Sequence, residues 1–182
     1  ALQQEIDLLA NGSERTAELD RALAVAREVY MTRAGDLSTR RRAAAPVFSK
    51  TLEKSLADLA MARTRCEVRF VPAQSDADWT ERGLEQAEFY ISPNPGEDVK
   101  PLARIASGGE LSRIMLALKT LGSNDAPGKT LIFDEVDTGI GGAVADVVGV
   151  RLQNLAKRLQ VLCITHLPQI AAYGGTHLSI SK

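Results

Sequence analysis

The sequence predicts an α/β protein carrying a long helical arm at its N-terminal end, on three observations. Residues 1–62 repeat apolar side chains at spacings of three and four, in a background rich in Ala, Leu, Arg and Glu. Residues 66–91 hold two stretches that alternate apolar and polar side chains. Residues 102–166 interleave helix-forming runs with short apolar runs that stop at acidic or polar residues. The texture changes near residue 63 and divides an arm, 1–62, from an α/β region, 63–182.

In the arm, Leu2, Ile6 and Leu9 make a first run. Leu19, Leu23, Ala26 and Tyr30 make a second, followed by Leu37, Ala44 and Val47, and Phe48, Leu52, Leu56 and Leu59 continue one position out of phase. That spacing predicts a coiled coil, with an interruption at Asn11-Gly12-Ser13 and a slip at Pro46, where a helix kinks. Two helices packed on a globular core are the alternative. Arg40, Arg41 and Arg42 form a small basic knot that could touch phosphate or lie on a solvated helix face. Ala1 stands inside the helical pattern, so the chain reads as a segment of a longer protein.

Beyond the arm, "CEVRFV" (66–71) and "AEFYI" (87–91) read as half-buried antiparallel strands, separated by a polar stretch with Asp76, Asp78 and Trp79. "SPNPGEDVKP" (92–101) is a loop by its prolines and glycine. A helix over 109–121, a strand over 130–135, a helix over 142–159 and a strand over 161–165 follow. Leu131, Ile132 and Phe133 form the apolar run of a parallel strand covered on both faces. "HLSIS" at the end reads as a last strand.

Composition narrows the function classes. Apolar content of 45% and charged content of 25% over 182 residues are those of a soluble folded protein. No stretch approaches the ~18 uncharged apolar residues of a membrane span, and no signal peptide is visible. A net charge of −1 gives no global attraction to nucleic acid, so any such contact is local. Cys66 and Cys163 fall in predicted strands without metal-ligand spacing and read as buried, reduced thiols of a cytoplasmic protein.

Two signals of phosphate chemistry lie side by side in "APGKTLIFDEVDTGIGG" (126–142). Gly128-Lys129-Thr130 ends like a P-loop, G-x-x-x-x-G-K-[ST], but the first glycine must then stand at Ser123. The order is also reversed, because a P-loop follows a strand and opens a helix, whereas here the strand comes after. Pro127-Gly128-Lys129 therefore reads as a surface turn. Asp134 and Glu135 survive the same test. They end a predicted strand at its carboxyl side, where open α/β sheets bind ligands, although an acidic strand end is common. Two adjacent carboxylates suit nucleotide hydrolysis, one for Mg²⁺ and one for the attacking water.

Ser107-Gly108-Gly109 stands directly before a strong helix former run. Its amides and hydroxyl would meet an anion with the helix dipole behind them, and the same tripeptide is also an ordinary helix start. What favours the first reading is the order: the Asp-Glu strand follows, and then a strand ending in Thr165-His166.

Ser107-Gly108-Gly109-Glu110 with Arg113 resembles the signature motif of ABC-type ATPases in the form found in SMC-like proteins. "LIFDE" resembles their Walker B strand and His166 their switch histidine. "NPGE", "LARIASGGELSRIMLALK", "LIFDEVDTGIGG" and "ITHLPQIAAYG", in this order, are similar to the SMC-like ATPases of bacterial DNA repair over residues 60–182; the arm matches only as a generic coil.

The resemblance implies the C-terminal lobe of an ABC/SMC-type P-loop ATPase head, with residues 1–62 as the returning helix of a coiled-coil arm. Ser107, Gly108, Gly109 and Glu110 would contact the ATP held by the opposite head. Asp134 would hold Mg²⁺ through water, Glu135 would be the catalytic base and His166 would sense the γ-phosphate. Walker A would lie far upstream, in an N-terminal lobe of the same full-length protein. The implied partners are DNA and a second copy, through heads or coiled coil, in the cytoplasm at the nucleoid. Gly141 departs from the family, which usually carries an aspartate there, so cross-subunit signalling through that loop does not carry over. Three classes follow: a DNA-repair ATPase, a structural DNA tether in which turnover is incidental, and a transporter ATPase subunit. The arm, Glu110 and the absence of a membrane cue argue against the third.

Overall fold

The structure is a computed structural model that describes residues 2–94, 96–105, 107–122 and 129–180, without the side chains of 2–11. A single helix, α1 (Leu2–Ala57), forms the arm. The helix runs unbroken through Asn11-Gly12-Ser13 and Pro46, so it is not split into two pieces at either place. One interior glycine costs only about 1 kcal/mol against Ala, and one proline about 3 kcal/mol. Helix propagation is cooperative, and a run of 56 residues absorbs both.

Strands β1 (Arg65–Pro72), β2 (Glu85–Ser92) and β3 (Lys100–Pro101) form one sheet in that order, with Tyr90 opposite Pro101 in an antiparallel pair. Helix α2 (Gly108–Leu121) leads to β4 (Thr130–Phe133), α3 (Gly142–Ala156), β5 (Gln160–Cys163) and a single turn, α4 (Pro168–Ala171). β4 and β5 pair in parallel, from Thr130 opposite Gln160 to Phe133 opposite Cys163. Ser123 to Gly128, on which the surface-turn reading of Pro127-Gly128 rests, lie outside the described residues. No described helix is long and apolar enough to cross a membrane.

The chain divides into two compact units. One joins residues 1–44 to 70–86. Here Tyr30 stacks on Trp79 at 5.0 Å between ring centroids, and Arg27 lies over the same indole while pairing with Asp76 at 2.8 Å. Arg41 donates to the carbonyl of Arg82 at 2.7 Å, and Arg42 pairs with Glu85 and lies over Phe70. The basic knot is thus partly spent on intrachain contacts. Tyr30 and Leu37, read as part of the coil stripe, instead face the 70–86 segment, where Gly83 takes a φ of +101° in a tight turn beside Leu37. Leu19, Leu23, Val25 and Val29 are exposed.

The second unit joins residues 45–69 to 87–182. Its core gathers Leu52, Leu56 and Leu59 from the end of α1, Ile114 and Ala117 from α2, Phe133 from β4, and Val148, Leu152 and Leu155 from α3. The buried positions of α3 recur at three and four, as one apolar helix face requires. Phe133, Leu131, Val161 and Cys163 pack on this core, but Ile132 is 67% exposed and Leu162 and Ile164 are exposed beside it. The expectation that this strand is covered on both faces therefore fails, because no described element lies over the second face. The last expected strand is also absent over 177–180. Leu178 and Ile180 are exposed and no described strand pairs with them, so the alternation has no ladder to join.

Candidate functional site

Ser107 caps α2 in an extended conformation, and its hydroxyl accepts the Glu110 amide at 3.4 Å, a long and weak cap. The serine and Gly108 remain exposed at the helix end, Glu110 is half-buried in its first turn, and Gly109 is buried. At Gly109 the reason for glycine is steric; at Gly108 the near neighbour is a flexible side-chain end. A Cβ on Gly109 would lie 2.8 Å from Cβ of Thr138 and 3.0 Å from the carbonyl oxygen of Glu135. A Cβ on Gly108 would lie 2.1 Å from Oε2 of Glu135. The Ser107-Gly108-Gly109 turn therefore sits directly against the turn that follows β4, and the Glu135 carboxylate rests on the positive end of α2.

That second turn is unusual. Glu135 has a φ of +58°, left-handed for a residue with a side chain, and its carbonyl accepts the Thr138 amide at 3.1 Å. The reversal carries Glu135 back toward α2 and leaves Asp134 and Glu135 exposed beyond the carboxyl end of β4. Two side chains of α2 lock it. Ser112 donates to the carbonyl of Asp134 at 2.6 Å, and Arg113 donates to that of Thr138 at 2.8 Å. Arg113 is buried, its Nε has no hydrogen-bond partner among the described residues, and burial lowers its pKa against a smaller opposing pull from Glu110.

β5 extends the same end of the sheet: the Ile164 amide donates to the carbonyl of Phe133 at 2.9 Å. Thr165 and His166 then reach the turn through Asp137, which is buried. Burial by itself would raise the Asp137 pKa, but donation from Thr165 and from the His166 amide outweighs it and holds the carboxyl below the usual range. Cys163, partly buried beneath, has its thiol pushed up to about 11, chiefly by burial and then by Asp137 and Asp134.

Ser107, Gly108, Gly109, Glu110, Asp134 and Glu135 are thus brought together by the packing of α2 on the β4 turn. His166 is tied to the turn through Asp137. Ser112, Thr138 and Asp137 were not singled out from the sequence. Their only signal was Asp137 as a third acid close behind Asp134 and Glu135, which does not say which acid faces inward. Among the described residues, no group of three or more His, Cys, Asp or Glu side chains could hold a metal. A Mg²⁺ ion fits only in the way this cation usually binds, through one carboxylate such as Asp134 together with phosphate oxygens and water. Gly141 is extended, and a Cβ there would meet nothing within 4 Å.

No family model matches the chain. It is 41% identical over 182 residues to the DNA repair protein RecN of Halalkalibacterium halodurans, covering 100% of this chain and 32% of that protein. By sequence the chain is RecN-like. It is 43% identical over 185 residues to the DNA repair protein RecN of Treponema pallidum, covering 99% of this chain and 32% of that one. The RecN-like chain therefore spans about a third of the length of the curated relatives it matches. Among solved structures it resembles an Smc head domain with an extended coiled coil from Pyrococcus furiosus, bound there to the C-terminal domain of ScpA. The TM-score is 0.55 at 19% identity, covering 94% of this chain and 40% of that one. The fold is thus that of an Smc-type head region with its arm.

Proposed function

We infer that this chain forms the arm and C-terminal head lobe of an SMC-like ATPase acting in DNA double-strand break repair, in which two heads close on ATP. The observation that carries this reading is the packing of the exposed Ser107-Gly108 helix end against the turn bearing Asp134 and Glu135. An exposed helix N-terminus capped by an exposed serine hydroxyl suits an anion supplied by another molecule. Ser107, Gly108 and Gly109, followed by Glu110, present that end to the γ-phosphate of ATP on the opposite head. Glu135 takes the proton of the attacking water, and His166 contacts the γ-phosphate from the end of β5. Asp134 would hold Mg²⁺ through water, and the bound ion would supply charge neutralisation at the phosphates.

The P-loop belongs to an N-terminal lobe, whose layer would cover Ile132, Leu162 and Ile164, and a second arm helix would cover Leu19, Leu23, Val25 and Val29. Residues 1–62 then act as the arm and 63–182 as the lobe. DNA and a second copy are the partners, in the cytoplasm at the nucleoid. By itself the 182-residue chain is expected to bind Mg-ATP weakly or not at all in calorimetry.

The test is Ser107→Arg in the full-length protein. Monomeric heads should still bind ATP, while dimerisation and hydrolysis fall together, because the cation blocks approach to the partner's phosphate. Mixing these heads with heads lacking the P-loop lysine should restore about one working site per dimer. Heads that cannot bind ATP as monomers would refute the shared site.

A further inference from the structure

Two donors converge on one oxygen of Asp137, and a histidine ring nitrogen lies beside it. Its Oδ2 accepts from Thr165 Oγ1 at 2.5 Å and from the His166 backbone amide at 3.0 Å, and it lies 3.1 Å from Nδ1 of the His166 ring. The carboxylate is 4% exposed while the imidazole is 76% exposed, so a buried anchor holds a ring that reaches outward. The threonine hydroxyl is itself oriented, because it accepts the Leu167 amide at 3.1 Å and so points its proton at Asp137.

Resting on the ATPase reading above, we propose that Asp137 is a positioning residue for His166, fixing Nδ1 as the protonated nitrogen and turning Nε2 toward the nucleotide phosphate. The chemistry admits one assignment. A carboxylate held below its usual pKa only accepts hydrogen bonds, so the nitrogen facing it carries the proton. To meet a phosphoryl oxygen Nε2 must also carry a proton, taken up from solvent; the imidazolium then donates from both nitrogens, one toward Asp137 and one to phosphate. The anchor also has a mechanical consequence. Asp137 sits two residues after Glu135 in one turn, closed by Thr138 N–H to Glu135 and Ile140 N–H to Asp137. Any shift of the turn that carries Asp134 and Glu135 therefore moves the histidine as well.

The experiment has two arms. ¹⁵N-histidine NMR on the chain reads the ring tautomers of its two histidines, with His177→Gln providing the assignment. A neutral His166 should carry its proton on Nδ1, and Asp137→Ala, which removes the acceptor, should move it to Nε2. A wild-type His166 protonated on Nε2 overturns the proposal even if the variant does not fold. In the full-length protein, Asp137→Asn should lower kcat on the order of 10- to 100-fold with little change in KM, as loss of a histidine's supporting carboxylate typically does. It should have no further effect in a His166→Ala background, whereas an equal loss in both backgrounds would show that Asp137 acts elsewhere. If the full-length protein hydrolyses no ATP, the ATPase reading fails, and the tautomer result still decides the placement of His166.

Discussion

Gly108 and Gly109 are neighbours in one motif, yet the structure separates what a methyl group would do at each. At Gly109 the added Cβ meets Cβ of Thr138 at 2.8 Å, the Glu135 carbonyl at 3.0 Å and Arg113 Nη1 at 3.4 Å. Two of these belong to a turn locked by Ser112 and Arg113, so the backbone has to move. Overpacking of that kind costs about 1–3 kcal/mol, against about 0.5–1 kcal/mol recovered from replacing Gly by Ala in a helix. The midpoint of that balance is a net loss of about 1 kcal/mol, or about 2–4 °C in Tm for a domain of this size. At Gly108 the clash at 2.1 Å is with Oε2 of Glu135, the far end of a flexible and exposed side chain. Rotation relieves it, so Gly108→Ala should leave Tm unchanged or slightly raised. Thermal and urea unfolding of the two variants measures the difference directly. Gly109→Ala as stable as Gly108→Ala would refute the packing of the Ser107-Gly108-Gly109 turn on the β4 turn.

Three further outcomes follow from the same geometry. Glu135→Gln in the full-length protein should keep ATP binding, slow turnover by ~10²–10⁴-fold and accumulate the closed head dimer in light scattering; near-normal turnover would mean that another group activates the water. Gly141→Asp should fold with unchanged or slightly raised stability in urea unfolding. The position is extended and open, and an aspartate there would cap α3, a gain of a few tenths of a kcal/mol over Gly. The Cys66 and Cys163 thiols, both raised to about 11 chiefly by burial, should stay protonated and react slowly with iodoacetamide at pH 8 until the chain is unfolded. Rapid native-state labelling of either would contradict that burial.

Sequence alone determined the features that depend on neighbours along the chain. Ser107 before two glycines and a run of helix formers specifies the start of α2, and the apolar Leu131-Ile132-Phe133 ending in Asp134 specifies a strand with acids at its carboxyl end. The order of the Ser107-Gly108-Gly109 turn, the Asp134-Glu135 strand and Thr165-His166 was legible for the same reason. Only the tertiary structure decided how those pieces meet. The left-handed turn at Glu135 is held by Ser112 and Arg113 from another element, and no local pattern announces it. Asp137 looks like one acid among three until folding buries it against a histidine 29 residues away. The alternation of 177–180 promised a strand, but a ladder needs a partner, and the apolar run of β4 promised two covered faces, but coverage is a property of the neighbours. Even in the arm, periodicity identified the helix and not its contacts: Tyr30 and Leu37 are claimed by residues 79 and 83 of the same chain. Propensity and spacing act over a few residues, whereas burial, strain and hydrogen-bond partnership are settled by whatever the rest of the chain brings alongside.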